Sequence, residues 1–336
     1  MYCMMTQRQT TGCIQGTHMA HTLPVGRFAP TPSGHIHLGN AFSSLIAWAS
    51  VRSRHGRMVL RIEDIDPRAQ DRRVADDLMR DYEWLGLDWD EGPYFQSGRL
   101  DIYEQAIGSL AARDLTYPCF CTRSELHSAT APHASDGTFV YQGTCRHLTA
   151  EQVREKSKHR HPATRLKVPD AGSAEGQVTI RDRVYGDYHE DLATDCGDFL
   201  IRRSDGVFAY QLVVVVDDGL MGVNEVVRGR DLLPSSARQT YLACLLHLPE
   251  PSYAHVPLLV APDGRRLSKR DRDTDISSLR EAGISAEAIV GRLANLIGLA
   301  EKGEAISAEE FANRFTWDAV RHHKRDVVVT ENFFLE

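Results

Sequence analysis

Residues Val25 to Asn40 constrain this chain more than any other stretch: a short apolar strand runs into a loop punctuated by proline and glycine, which then opens an amphipathic helix. Pro30 and Pro32 stiffen the loop, while Gly34 and Gly39 remove side chains where a ligand could approach the backbone. The amides of the following helix face that space with the positive end of the helix dipole, which suits a phosphate. The neutral imidazoles of His35 and His37 can donate hydrogen bonds to phosphoryl oxygens without prior protonation.

The rhythm that follows is strand, helix, strand, helix. Leu38, Phe42, Leu45, Ile46 and Ala49 recur at helical spacing until Gly56, and Met58 to Ile62 reads as a buried strand entering the acidic turn Glu63 to Pro67. Val74, Leu78, Tyr82 and Leu85 mark a second helix that stops at Gly86, and a third covers Leu100 to Leu115. Such alternation predicts a doubly wound parallel α/β sheet with a ligand at the carboxyl ends of its strands. From Tyr117 to Asp195 the pattern breaks into short strands and polar loops, as an inserted module would. The α/β rhythm then returns. Phe199 to Arg203 and Val207 to Tyr210 read as a hairpin, Glu225 to Gly229 as a strand, Ser235 or Ser236 as the cap of a helix reaching Leu248, and His255 to Val260 as the last strand. The remainder reads as helical, with Ser285 and Ser307 as caps and Ser307 spaced from Glu310 as a capping box.

Composition narrows the function. With 336 residues and 42% hydrophobic content, the chain can bury a full catalytic core plus smaller modules. A net charge of -7 argues against a general nucleic-acid coat, although the basic runs Arg265 to Arg270 and Arg321 to Arg325 leave room for a specific RNA partner. No stretch approaches the length of a membrane span, and residues 1–22 show neither an apolar signal region nor a helical period, so they read as a disordered leader. Seven cysteines without a secretory signal favour reduced thiols in the cytoplasm, with Cys196 and Cys244 as core residues.

The run Arg27 to Gly34 followed by His37, Leu38, Gly39 and Asn40 resembles the first signature of class I glutamyl- and glutaminyl-type tRNA synthetases, with Asn40 in place of its second histidine. Asp263 to Asp271 resembles the second signature, read here as Arg266, Leu267, Ser268, Lys269 and Arg270, and Ser277 to Gly283 is similar to the segment that follows it. Two motifs in the right order are far harder to obtain by chance than one. A lysine on a loop can stabilise the charge that develops as pyrophosphate leaves, the role given to Lys269. The resemblance implies ATP contacts at His35, His37, Gly39, Asn40 and Lys269, with His37, Asn40 and Lys269 catalytic and Mg²⁺ bridging the phosphates. It implies glutamate contacts at Arg27, Phe28, Ala29, Pro30, Thr31, Glu63, Tyr210 and Arg228. An arginine can clamp a carboxylate bidentately and Glu63 can pair with an ammonium, but the residues do not say which arginine takes which carboxylate. Val213 to Val216 favours a strand by propensity, whereas the similar family segment is helical.

Cys119, Cys121 and Cys145 supply three thiolates for a structural zinc site, and on the residues alone Tyr141, His127, His133 and His147 all remain open as the fourth ligand. The resemblance selects Tyr141. It also divides the chain into the leader 1–22, a Rossmann-like catalytic domain in two halves (23–115 and 196–262), an inserted zinc-containing module (116–195), and a loop with a helical C-terminal region (263–336). Only about 65 residues follow Arg270, too few for a large anticodon-binding region. That shortness is similar to the stand-alone glutamyl-type cores, which activate glutamate with ATP and transfer it to the queuosine base in the anticodon of tRNA(Asp). The implied protein is a cytoplasmic, monomeric ligase without a membrane partner. A truncated glutamyl-tRNA synthetase charging a tRNA 3′ end and a small-molecule nucleotidyltransferase are the alternatives.

Overall fold

The opening segment folds as its pattern dictates in the computed structural model, which describes residues 23–126, 140–265, 267, 275–330 and 333. β1 (Val25–Phe28) precedes α1 (Leu38–Arg52), whose apolar repeat is buried. β2 (Arg57–Ile62) runs parallel to β1, with Val25 opposite Arg57 and Phe28 opposite Leu60. A Cβ at Gly56 would sit 2.2 Å from the Pro24 carbonyl oxygen, so glycine is what allows the chain to turn back against β1. Asp71 caps α2 (Arg72–Trp84) by accepting from the Arg73 amide.

β3 (Glu91–Phe95) then pairs in parallel with the outer edge of β2. Its glycine, its proline and its exposed side chains hide it from any reading by apolar periodicity. After α3 (Leu100–Ala111), β4 (Thr116–Cys119), α4 (Arg123–Leu126), α5 (Ala150–Ser157) and β5 (Ala163–Leu166) lead to the hairpin of β6 (Gln177–Asp182) and β7 (Gly186–Asp191). The short α6 (Leu192–Asp195) precedes β8 (Phe199–Arg202), and β4, β5 and β8 form an antiparallel sheet.

Two expectations give way at this point, and one left open between strand and helix is decided. The hairpin after Phe199 is reduced to one bridge, Arg202 to Phe208, because Tyr210 already opens α7 (Tyr210–Leu220). Val213 to Val216 are helical within α7 and all buried, so packing overrides the β preference of four successive valines. Following β9 (Glu225–Gly229), α8 (Leu233–Leu245) starts earlier than expected, with Pro234 in its first turn and Ser235 and Ser236 buried inside rather than capping it.

The last expected strand divides into β10 (Ser252–Val256), parallel to β9, and β11 (Leu259–Val260). α9 (Ile276–Glu281), α10 (Ala286–Asn295), α11 (Ala308–Arg314) and α12 (Trp317–His322) follow. Ser285 caps α10, and Ser307 with Glu310 forms the capping box of α11. The C-terminal region is not wholly helical: β12 (Val327–Val328) pairs in parallel with β11.

β9 lies beside β1 without a regular ladder, held by the Asn224 amide on the Val25 carbonyl (3.0 Å) and the Val25 amide on Asn224 Oδ1 (2.8 Å). The strands therefore run β3, β2, β1, β9, β10, and the order reverses between β1 and β9, where an α/β sheet places its ligand. Among the described residues no helix is long and apolar enough to cross a membrane. Cys196 is a buried free thiol, as expected of a core residue, and Cys244 is half-buried in α8.

Gly291 tests how tightly the C-terminal helices are packed. Alanine should raise helix propensity there by about 1 kcal/mol, but its Cβ would lie 1.8 Å from the Glu304 carbonyl oxygen. Overpacking against backbone costs about 1–3 kcal/mol and wins. Gly291→Ala should lower the apparent melting temperature, and a stabilised variant would show that α10 and the 304–305 segment pack more loosely than this.

Candidate active site

His37 is the cap of α1: the Asn40 amide donates to its Nδ1 at 3.3 Å. An Nδ1 that accepts places the proton of the neutral ring on Nε2, which makes that nitrogen the donor of the ring. A Cβ on Gly39 would stand 3.2 Å from the His37 ring, so the residue before Asn40 is glycine because the imidazole folds over it. Gly34 has φ 137°, a conformation that favours glycine. His35 turns toward α2, with Nδ1 3.2 Å from Asp81 Oδ2, and the same carboxylate oxygen accepts from the Ile36 amide. Asp81 is thus a part of the loop's support that the sequence pattern did not single out. Beyond the loop, the Ile276 amide donates to the Ile36 carbonyl (2.8 Å), tying the phosphate loop to the chain that follows the second motif. Arg266, Ser268, Lys269 and Arg270 lie outside the described residues, as do His127 and His133.

The carboxyl ends of the strands collect the other candidates. Arg27 sits near the end of β1, Glu63 directly after β2, Arg228 near the end of β9, and Tyr210 at the start of α7. The Glu63 amide donates to the Pro30 carbonyl at 2.9 Å, joining β2 to the loop that carries Phe28, Ala29, Pro30 and Thr31. Phe28 points the other way and stacks on Tyr82 with centroids 4.6 Å apart. It is a core residue, and its side chain is not among those gathered with Arg27 and Glu63.

The two arginines differ in what they have left to offer. Arg228 donates from Nε to His255 Nε2 (3.0 Å), from Nη1 to Gln239 Oε1 (2.8 Å) and to the Tyr210 hydroxyl (3.4 Å), and from Nη2 to Ser236 Oγ and the Leu232 carbonyl. Its donors are spent on the protein. Arg27 gives Nη1 to the Val227 carbonyl, while its buried Nε, 3.7 Å from Asp218, has no hydrogen-bond partner among the described residues. Burial depresses the proton affinity of Arg27, Asp218 offsets part of that, and the nearby charges of Arg61 and Arg228 depress it further. A buried cation in that position is stabilised by an incoming anion. Burial likewise raises the Glu63 carboxyl above its usual range, against the pull of Arg61, whose Nη2 donates to it at 3.1 Å. A ligand ammonium would reverse that shift.

Below the pocket, the fully buried Arg61 donates to Asp218 at 2.6 Å and lies 3.9 Å from Asp217. Asp217 also accepts from Gln96, Arg99 and Tyr103. These acids sit in α7, one beside the other, within a segment the sequence marked only by its valines.

In the inserted module Cys119, Cys121 and Cys145 bring their sulfurs together. The Cys121 and Cys145 sulfurs are 3.7 Å apart, and the Tyr141 hydroxyl lies 3.6 Å from Cys119 Sγ and 3.7 Å from Cys121 Sγ. A tetrahedral zinc with bonds of about 2.3 Å to sulfur and 2.0 Å to oxygen spaces its ligands by about 3.7 Å for S···S and 3.5 Å for S···O. These three separations match that spacing, and all three sulfurs lie within 4.8 Å of one another. His147 is exposed and outside this group of sulfurs. Arg165 stacks its guanidinium 3.7 Å from the Tyr141 ring centroid and donates to Cys119 Sγ. Burial alone would raise the Cys119 thiol, yet Arg165 and other hydrogen bonds bring it below its ordinary value, while burial pushes Cys121 up to about 12.

Residues 25–332 match the family model described as the catalytic domain of class I tRNA synthetases of the E and Q type. The chain belongs to that family. Family membership makes it a ligase of the class I aminoacyl-tRNA synthetase type. It is 47% identical over 284 residues to the glutamyl-Q tRNA(Asp) synthetase of Nitratidesulfovibrio vulgaris, covering 82% of this chain and 86% of that protein. It is 44% identical over 297 residues to the protein of the same name from Symbiobacterium thermophilum, covering 85% and 90%. A crystal structure of a glutamate tRNA ligase from Elizabethkingia meningosepticum in complex with its amino acid superposes with a TM-score of 0.75 at 26% identity, covering 93% of this chain and 68% of that one. The fold of this family member is therefore the α/β fold of class I synthetase catalytic domains.

Removing one member of a buried ion pair strands its partner at a cost of about 3–5 kcal/mol, whereas an exposed pair contributes about 0–1 kcal/mol. Asp218→Ala should therefore shift the urea unfolding midpoint markedly, and Arg68→Ala, which removes the exposed partner of Asp66, should leave it nearly unchanged. Equal shifts would show that the cluster under the pocket contributes no more than a surface pair.

Proposed function

We propose that this synthetase-family chain activates glutamate with ATP and transfers it to the queuosine base in the anticodon of tRNA(Asp). The glutamate half rests on Arg27, a buried guanidinium with an unspent Nε donor at the switch between β1 and β9. The acceptor half is supported by the names of relatives that match over 86% and 90% of their own length. A tRNA substrate places the activity in the cytoplasm.

In this reading the side-chain carboxylate of glutamate pairs with Arg27 and the α-ammonium with Glu63, whose anionic form the ligand charge restores. Arg228 donates to the Tyr210 oxygen, which leaves the phenolic hydrogen to donate to a substrate carboxylate. In this reading Arg228 acts through Tyr210, and Arg27 is the direct clamp. The α-carboxylate attacks the α-phosphate of ATP and pyrophosphate departs, with no protein nucleophile needed. The Nε2 hydrogen of His37, the backbone amide of Gly39, the side-chain amide of Asn40 and the ammonium of Lys269 receive the phosphates, with His35 at the rim. Mg²⁺ enters with ATP as a counter-ion to the phosphates and requires no dedicated protein cage.

The test follows labelled glutamate. It should appear on tRNA(Asp) that carries queuosine and not on the same tRNA lacking it, should survive removal of the 3′-terminal nucleotides, and should be lost in Arg27→Ala. Glutamine should activate poorly in pyrophosphate exchange, since it leaves the Arg27 charge uncompensated. Transfer to tRNA(Glu) that oxidation of the 3′ end abolishes would establish 3′-end charging instead.

The same proposal gives the inserted module a structural zinc ion held by Cys119, Cys121, Cys145 and Tyr141, with Arg165 offsetting the negative charge of the ligands. Protein purified without chelators should contain about one zinc per chain, as a closed four-ligand site demands. Cys119→Ser should lose it. Metal-free protein, or undiminished zinc in that variant, would remove the ion from the module.

A further inference from the structure

Behind Arg228 lies a pair of residues that the activation chemistry above does not use. His255, in β10, and Asp182, at the end of β6, have side chains that are wholly buried. Asp182 Oδ2 accepts from the His255 ring Nδ1 at 2.6 Å and from the His255 amide at 2.9 Å, while Oδ1 accepts from the Val184 and Tyr185 amides. Both oxygens are thus fixed by backbone, and the carboxylate in turn fixes the imidazole. With its hydrogen on Nδ1, the neutral ring turns the lone pair of Nε2 outward, and Arg228 Nε donates to it at 3.0 Å. A protonated ring would instead aim an N–H at the Arg228 guanidinium. Burial, with the Arg228 charge adding to it, lowers His255 to about 4 despite the hydrogen bond to Asp182. The Tyr253 ring stacks on His255 at 6.1 Å and lies 5.3 Å from the Arg228 guanidinium, so the side of the pair is closed as well.

We propose that His255, held by Asp182, is a positioning residue that sets the rotation of Arg228 and through it the hydroxyl of Tyr210 at the glutamate site. The inference rests on the reading that Tyr210 contacts glutamate. The hydrogen bonds diverge from Arg228, which donates forward to the Tyr210 oxygen and back to His255 Nε2, whose ring passes the Nδ1 hydrogen on to Asp182. Nε is the one donor of a guanidinium that lies on the stem side of the fork, so an acceptor placed there selects a single orientation of the plane. Gln239 and Ser236 hold the two Nη atoms, but both are neutral side chains on α8, and among the described residues it is His255 that connects the guanidinium to a buried anion. The geometry also makes the β6–β7 hairpin of the inserted module a direct support of the amino-acid pocket.

The test separates positioning from general packing. In glutamine the terminal Oε1 can reach the place of the imidazole Nε2 and accept from Arg228, whereas asparagine reaches only the place of Nδ1. Pyrophosphate exchange should show the KM for glutamate raised about tenfold or more in His255→Asn, consistent with losing a hydrogen bond to a charged group. KM for ATP should stay unchanged, and His255→Gln should recover most of the loss. Tyr210→Phe tests the underlying reading: if it leaves the glutamate KM unchanged, Tyr210 is not at the amino acid and the proposal falls with that reading. A normal glutamate KM in His255→Asn beside an impaired Tyr210→Phe overturns the positioning role alone, as does an equal defect in the asparagine and glutamine variants. Ring-nitrogen NMR of the unaltered protein gives a readout independent of whether any variant folds. An Nδ1-protonated, Nε2-unprotonated His255 at neutral pH is expected, and the opposite tautomer would refute the proposal.

Discussion

The buried carboxylates of α7 are what the pocket stands on. Arg61 in the middle of the sheet cannot be buried without an anion, and Asp218 supplies it at 2.6 Å while also facing Arg27. Asp217, the preceding residue, gathers Gln96, Arg99 and Tyr103 from the segment around α3. One turn of helix therefore ties β1, β2 and α3 together through charge. The arrangement leaves Arg27 with an incompletely answered charge directly above it. Electrostatic demand at the ligand site and cohesion beneath it have the same origin.

How much of this was legible in the chain depends on how local the cause is. The strand, loop and helix from Val25 to Asn40 could be read because each turn residue acts on its own backbone, as Gly34 and Gly39 do. Capping at Ser307 was legible for the same reason: the interacting pair is three residues apart. The four valines of α7 misled because strand preference is weak beside burial on a helix face. β3 was missed because a peripheral strand needs backbone partners rather than an apolar pattern.

The candidate site shows the same division. Arg27, Glu63, Tyr210 and Arg228 were singled out by residue type and by similarity, and the fold gathers them at the carboxyl end of one sheet. That Arg228 is saturated while Arg27 keeps an open donor depends on Gln239, Ser236 and His255, which no spacing rule connects to it. The partnership of Asp182 with His255 spans 73 positions and two modules. Pairings of that kind are written in three dimensions only.

The bond from the Ile276 amide to the Ile36 carbonyl couples two parts of the chain that are far apart in sequence. Leu267 is in the core with its amide directed to Leu259, and Ile276 is pinned beside the loop that opens α1, so both belong to the same core cluster as α1 itself. A displacement of the loop at Ile36 is therefore felt at the start of α9, and a displacement of α9 is felt at the loop, through one backbone hydrogen bond.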